Sequence, residues 1–466
     1  MTRASRAALW VWAVISLLIA LSLLVIYLRL GRDGFGVFIR QPPLINLPVT
    51  LASVTLMWLS AGALLWLLQS GRVNAGNLFG VSGFFLVNWV YLNFLSERFR
   101  YGDYTYYLDA AAAMYNNQPL PGSYFYPPLW ATLLQFLVPA GQDAFFLVLW
   151  LLDFVSFLGF YVLLLRVLER YGFAPRFAAL VTTAFMLANA PLLRTLAYVQ
   201  VNVHALDLTL LSLLLYPKRS FLSALMLALA IHLKASPAVL VLAFLLERDW
   251  RWLGWLALSL VLLAGITVVT DGISPFFDVL QHIQGLAQSD NTIFHDTSFD
   301  SFLRFADPLL HIDIFWTRIL IYAAKILLAV GSILVMLKLV RGQAFSRPDQ
   351  AGARMLNAVP PLFILFTLAS PVVWEHHGVF VALSFLLMLK RLETPSEWLW
   401  FALAYLLEFL LPTFDFFPWS FGRLVAPLMI LWMMWRTAIR PGDAPLFSQL
   451  NLWFDRLPGL PPPPRA

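Results

Sequence analysis

The sequence predicts an all-α protein built into a membrane, and three observations carry that reading. Hydrophobic residues make up 61% of the 466-residue chain and charged residues only 12%, where a soluble chain carries roughly a quarter. The apolar residues are gathered into blocks, many near the roughly 17–25 residues that cross a bilayer as a helix. The loops between the blocks are asymmetric: several short ones carry Lys and Arg, and one long one is rich in aspartate.

Candidate spans fall at about 8–28, 50–69, 78–95, 127–140, 144–166, 177–192, 204–216, 221–246, 253–270, 316–340, 357–369, 376–390, 397–412 and 421–436. Several fall short of a full crossing. The block 221–246 is also interrupted at Lys234-Ala235-Ser236-Pro237, where proline removes a backbone donor and invites a break. The expectation is about 11–14 membrane helices. Residues 1–70 form two additional N-terminal transmembrane helices, 71–440 the main membrane domain, and 441–466 a Pro-rich cytoplasmic tail. Thr2–Arg6 followed by Ala7–Leu28 imitates a signal peptide. That apolar run is too long for a signal and lacks a small-residue cleavage site, so a first span is expected there.

Arg3, Arg6, Arg248, Arg251, Lys338, Arg341, Arg347, Arg354, Lys390, Arg391, Arg436 and Arg440 lie in or beside short loops and read as cytoplasmic. Asp271–Asp313 holds seven aspartates and a single arginine, Arg304, so the loop 271–315 reads as external. With the N-terminus inside, the third span delivers the polar, Tyr-rich loop 96–130 to the external side as well. Arg29–Arg40 and Arg166–Arg176 fit this scheme poorly. The second fits if 127–140 is a re-entrant or juxtamembrane helix rather than a crossing. The net charge of +6 suits anionic lipid headgroups rather than nucleic acid. The absence of cysteine excludes disulfides, thiolate metal sites and cysteine nucleophiles.

The 96–130 loop carries the first chemical candidate. Tyr104–Asn116 is Ala-rich with no breaker before Asn117 and Pro119, which predicts a short juxtamembrane helix, and Asp103 stands at its head. A carboxylate there is the right group to deprotonate a hydroxyl, and it is equally a favoured helix N-cap. Asp109, mid-helix, reads as a solvated face. Lys234 lies in apolar sequence, where a lysine costs roughly 2.5–3.5 kcal/mol near mid-bilayer. It therefore either faces an anion in a polar cavity or snorkels from a helix end. Arg304 offers a planar fork suited to phosphate, or pairs with Asp300 or Asp307. Gln200 and Asn202 either hydrogen-bond sugar hydroxyls or mend a helix break. In Trp374-Glu375-His376-His377 the adjacent histidines point about 100° apart on a helix, a poor metal pair but a source of one phosphate or hydroxyl partner. Asp153, Asp207, Lys325 and Glu408, inside apolar segments, read as polar contacts between helices.

These pieces occur together and in order: Asp103-Tyr104-Thr105-Tyr106-Tyr107 with its Ala run, Tyr126-Pro127-Pro128-Leu129, Gln200-Val201-Asn202, Lys234 with Pro237, Thr297-Ser298 through Arg304, and Ser370-Pro371 with Trp374, His376 and His377. Over roughly residues 78–436 the chain thereby resembles the polyprenol-phosphate-mannose-dependent α-mannosyltransferases of glycosyltransferase family 87, in the GT-C superfamily of membrane enzymes. The resemblance implies a GT-C fold whose first external loop carries the catalytic carboxylate, here Asp103. It implies an inverting transfer of a hexose, mannose in that family, from a polyprenyl-phosphate donor to a lipid-linked or glycan acceptor on the external face of the cell membrane. No nucleotide sugar, cofactor or essential metal is implied. Lys234, Arg304 and His376 or His377 would then hold the donor phosphate. Tyr104, Tyr107, Gln200, Asn202 and Trp374 would contact sugar or acceptor. The chain departs from the family in having residues 1–70, in His295-Asp296-Thr297-Ser298 where Asn-Gln-Ser is usual, and in Val199 where Gly commonly precedes the Gln-x-Asn pair. The rival readings are a transporter or flippase of lipid-linked sugars, which usually shows repeated broken helices, a non-enzymatic scaffold, and a related enzyme using another lipid-phosphate sugar.

Overall fold

The computed structural model describes residues 103–288, 296–310, 312–341, 351–410, 421–440 and 443–456, with 47–73, 76–78, 80–85 and scattered positions between 9 and 28. Most of the predicted first span, the second half of the third, the loop Arg29–Arg40, the head of the 96–130 loop, Arg347 and the tail from Pro458 lie outside the described residues. Among the described residues the regular elements are all helices.

The chain divides into two compact units. The smaller holds α1 (Leu47–Ser70) and α5 (Pro175–Leu187), which pack together, and the end of α18 (Pro445–Arg456). Trp12 stacks on Trp58 with ring centroids 6.0 Å apart and donates its indole N–H to the Trp58 carbonyl at 2.9 Å. Gly62 is required beneath it, because a Cβ there would overlap the Trp12 ring. Phe177 stacks on Phe454 at 5.0 Å.

The larger unit opens with α2 (Tyr104–Tyr115) and α3 (Pro128–Leu134), the latter continued by a 3₁₀ turn over Gln135–Ala140. α4 (Gln142–Arg170) follows, then α6 (Ala190–Ala197), α7 (Asn202–Leu215), α8 (Ser220–Leu233), α9 (Val241–Glu247) and α10 (Trp250–Asp271). α11 (Ser274–Gln288) and α12 (Phe299–Leu310) precede α13 (Ile314–Val340), α14 (Ala351–Leu368), α15 (Ala382–Met388), α16 (Pro395–Tyr405) and α17 (Gly422–Thr437). The 127–140 block is thus a short two-part helix below spanning length, in keeping with the juxtamembrane alternative.

Among the described residues four helices are long and apolar enough to cross a membrane: α4, α10, α13 and α14, with a fifth if Pro175–Leu187 and Ala190–Leu196 count as one broken span. Length and composition alone therefore do not reach the expected 11–14 among the described residues. Blocks such as 204–216 and 221–246 are helices of 14 residues or fewer. The large exposed apolar side chains of α10 and α13, Val269 at 89% and Leu327 at 71% among them, need an apolar solvent, and lipid supplies it. α14 is the opposite case, with 89% of its apolar window buried, and forms the central post of the unit.

The intramembrane charges join helices as expected. His204 on α7 meets Asp153 on α4 at 2.7 Å, and Ser156 donates to Asp207 at 2.6 Å. Lys325 on α13 pairs with Asp300 on α12 at 2.5 Å.

Candidate active site

α2 forms where the sequence predicts it, and its amphipathic pattern explains its seat. Tyr104, Tyr107, Ala111 and Met114 recur at helical spacing and are buried with Tyr124, Leu134, Phe145 and Val201, while Asp109 stays exposed. The first loop is held to the later one: the Leu120 N–H donates to Asp278 at 3.0 Å, and His282 Nδ1 meets the Tyr124 carbonyl at 3.0 Å. The loops containing Asp103 and α11 therefore lie on one face.

Asp103 precedes α2 but makes no side-chain capping bond. Its carboxylate instead accepts from Gln200 Nε2, and its backbone N–H donates to the Tyr198 carbonyl at 2.8 Å. Tyr126 also hydrogen-bonds the carboxylate and donates to Gln200 Oε1 at 3.3 Å. Burial pushes the Asp103 carboxyl up to about 6, against Lys234, whose charge lowers it, and the Gln200 and Tyr126 hydrogen bonds, which lower it further. A group poised there is ionised at neutral pH and basic enough to accept a proton.

Gln200 reaches Asp103 because α6 ends in a Schellman turn. The Gln200 N–H bonds the Thr195 carbonyl at 3.1 Å and the Val199 N–H bonds Leu196 at 3.3 Å, which places Val199 at the left-handed position that glycine usually fills. Its φ is +55°, a conformation costing roughly 1–3 kcal/mol for a side-chain-bearing residue. The Val199 departure noted in the sequence is thus a site of backbone strain one residue from the carboxylate's partner.

Lys234 ends α8 in an extended conformation, and a 3₁₀ turn over Ser236–Leu240 follows. The predicted break is present, and it turns the ammonium to Asn202 Oδ1 at 2.7 Å. Asn202 in turn reaches the His376 carbonyl at 3.5 Å, as Thr195 Oγ does at 3.3 Å. His376 and His377 lie edge to face at 4.7 Å, and the Trp374 N–H donates to His377 Nδ1 at 3.2 Å. Asp103, Lys234, Trp374, His376 and His377 all keep partial exposure while Gln200, Asn202 and Glu375 beside them are buried.

Other predicted residues sit differently. Tyr104 turns to α4, its ring 5.0 Å from Phe146 and its hydroxyl 3.4 Å from Gln142. Tyr107 is fully buried beneath the site, accepting from the Val201 N–H at 3.3 Å with its ring 5.3 Å from Tyr126. Arg304 rides on α12. The loop before α12 is tied beside the histidines, since the Thr297 N–H bonds the Val373 carbonyl at 2.8 Å and Asp296 accepts from the Val373 N–H at 2.8 Å. The cation facing Asp103 is Lys234.

Sequence reasoning missed Tyr126 as a partner of Asp103, and it missed Arg194 and Arg423. Both arginines pair with buried Glu375, Arg194 closely and Arg423 at 2.9 Å, so the segment carrying the histidines is clamped from α6 and α17. Their signal was available: each is a lone cation in an apolar segment. Among the described residues no three His, Asp or Glu side chains gather as metal ligands.

The site thus gathers a carboxylate, an ammonium and two imidazoles at helix ends of an all-helical membrane frame. The model of glycosyltransferase family 87 matches residues 124–371, just over half the chain. The protein belongs to glycosyltransferase family 87. The matched stretch contains Tyr126, Gln200, Asn202, Lys234 and Arg304, while Asp103 precedes it and His376 and His377 follow it. No curated protein and no solved structure matches the chain.

Proposed function

We propose that this glycosyltransferase transfers a hexose, mannose, from a polyprenyl-phosphate-linked donor to a hydroxyl of a glycolipid or glycan acceptor on the external face of the cell membrane, with inversion. The observation that carries this reading is the partly buried Asp103 carboxylate, oriented by Gln200 and faced by Lys234. Asp103 takes the proton of the acceptor hydroxyl as its oxygen bonds to the anomeric carbon. The bond from that carbon to the donor phosphate oxygen breaks, and its electron pair stays on the phosphate. A positioned base contributes roughly 10²–10⁴-fold. Lys234, with His376 or His377 as hydrogen-bond donor, meets the charge that develops on the leaving phosphate, the kind of preorganised contact that lowers such a barrier. Arg304, on α12 after the loop that bonds Val373, enters as a further phosphate partner. Asn202 and Trp374 contact the sugar in this reading.

The external assignment is supported by the aspartate-rich loop sharing a face with the Asp103 loop. The test is a donor panel given to purified protein with membrane-lipid acceptors: labelled polyprenyl-phosphate-mannose, polyprenyl-phosphate-glucose and GDP-mannose. Label should enter a new covalent product from the first alone. A product from the glucose donor instead replaces the sugar. Label that crosses reconstituted vesicles without any covalent product replaces the enzyme with a flippase.

A further inference from the structure

A second charged site lies at the opposite ends of the same helices. α4, α13 and α17 finish there at Arg170, Val340 and Thr437, and α14 begins there at Ala351. The Asp103 end is marked by Gln142, which starts α4 and bonds Tyr104, and by Arg423 in the first turn of α17, which bonds Glu375. At about 1.5 Å per residue, α17 and α4 set the two ends roughly 20–40 Å apart.

Between these far ends is a cavity of about 700 Å³, within the roughly 300–1,000 Å³ of small-molecule sites. Its walls carry Arg170, Lys338, Arg341, Lys390, Arg391 and Arg440 against one carboxylate, Asp443. Asp443 takes Lys390 at 3.0 Å, and Glu397 takes Arg440 at 2.6 Å. Three more, Arg170, Arg391 and Lys338, are held by neutral oxygens. Arg170 donates to the main-chain carbonyls of Leu213, Leu214 and Tyr216 at 2.5–2.9 Å. Arg391 donates to Asn357 Oδ1 at 3.0 Å. Lys338 donates to the Trp435 carbonyl at 2.9 Å, its ammonium 3.7 Å from the Trp435 ring centroid.

Carbonyl oxygens fix these cations in place without cancelling their charge. Binding a helix C-terminus is a sufficient reason for one cation, but it requires no hollow and does not gather several charges around one. Backbone has also given way to them: a Cβ on Gly352 would overlap the Arg170 guanidinium, and one on Gly172 would come within 3.1 Å of Lys390 Nζ. Converging positive charge with guanidinium forks suits a phosphoryl anion. The same end carries Trp432, Trp435 and the 75%-exposed Ile439, the aromatic and apolar rim of a membrane–water boundary.

We propose that this cavity binds the phosphoryl headgroup of an anionic phospholipid. The full-length protein in neutral detergent, titrated with short-chain phosphatidylglycerol, should gain melting temperature saturably. Phosphatidylcholine should give no such gain, and inorganic phosphate only a weak one. K338Q/R341Q, at the C-terminal end of α13, should weaken the apparent phosphatidylglycerol affinity by roughly fivefold per charge, about 25-fold in all. If that variant does not purify, R391Q carries the same expectation at roughly fivefold. Equal responses to the two lipids, or unchanged phosphatidylglycerol affinity in the variants, overturn the proposal. Saturation by inorganic phosphate with nothing added by phosphatidylglycerol replaces the lipid with a soluble anion and overturns it too.

Discussion

Asp103→Asn should stabilise the protein, and should do so as a function of pH. Asp103 titrates at about 6 in the folded protein against an ordinary 3.8, so between those values the unfolded chain is ionised while the folded one holds its proton. The wild-type advantage of the protonated form is complete below 3.8 and is lost as pH rises through about 6. At roughly 1.36 kcal/mol per pH unit, ionising Asp103 costs the fold about 3 kcal/mol by neutral pH, of which roughly 1.4 kcal/mol falls between pH 5 and pH 7.5. The asparagine never ionises, so the melting-temperature gap between variant and wild type should widen by on the order of 1–3 °C over that interval. Comparing the gap at two pH values removes the loss of the carboxylate beside Lys234, since the protonated wild type lacks that charge at pH 5 as well. Parallel scans of both proteins in one detergent across pH 5–7.5 make the measurement. A gap constant with pH, or one that narrows, would refute the burial argument for a poised base.

Gln200→Met removes a hydrogen bond that lowers the Asp103 carboxyl, so the acid limb of the pH–rate profile should move above about 6; an unmoved limb separates Gln200 from the base. Val199→Gly loses a buried side chain but relieves the φ of +55°, whereas Val199→Ala loses methyls and keeps the strain. The glycine variant should melt higher than the alanine variant, and the reverse order would deny the strain. Glu375→Gln leaves Arg194 and Arg423 without their shared carboxylate and should cost about 3–5 kcal/mol, read as a large fall in melting temperature that an unchanged melt would contradict.

What the sequence disclosed follows from the range of each signal. α2 and the break after Leu233 were legible because they are local, one written in Ala spacing and the other in Pro237. The cluster around Asp103 was legible only as separated motifs, because Gln200, Lys234 and His376 meet through packing between distant helices. Whether Asp103 caps α2 or serves the site was undecidable from spacing, and its bond to Gln200 rather than to α2 is a tertiary fact. Tyr104 and Tyr107 show the same limit: three residues apart on one helix, one turns to Phe146 and the other lies against Tyr126. The Glu375 clamp went unread because each arginine sits far from Glu375 in the chain. Blocks such as 204–216 and 221–246 read as spans in hydropathy but fold as helices of 14 residues or fewer, a length set by where each helix breaks rather than by composition.

The most direct test of the central claim is single-turnover transfer from labelled polyprenyl-phosphate-mannose by wild-type protein and by Asp103→Asn, both shown to be folded by their melts. The variant should bind donor but transfer at least about 10²-fold more slowly at neutral pH. Wild-type transfer should decline as pH falls through about 6. Transfer by the asparagine variant at the wild-type rate would contradict that claim.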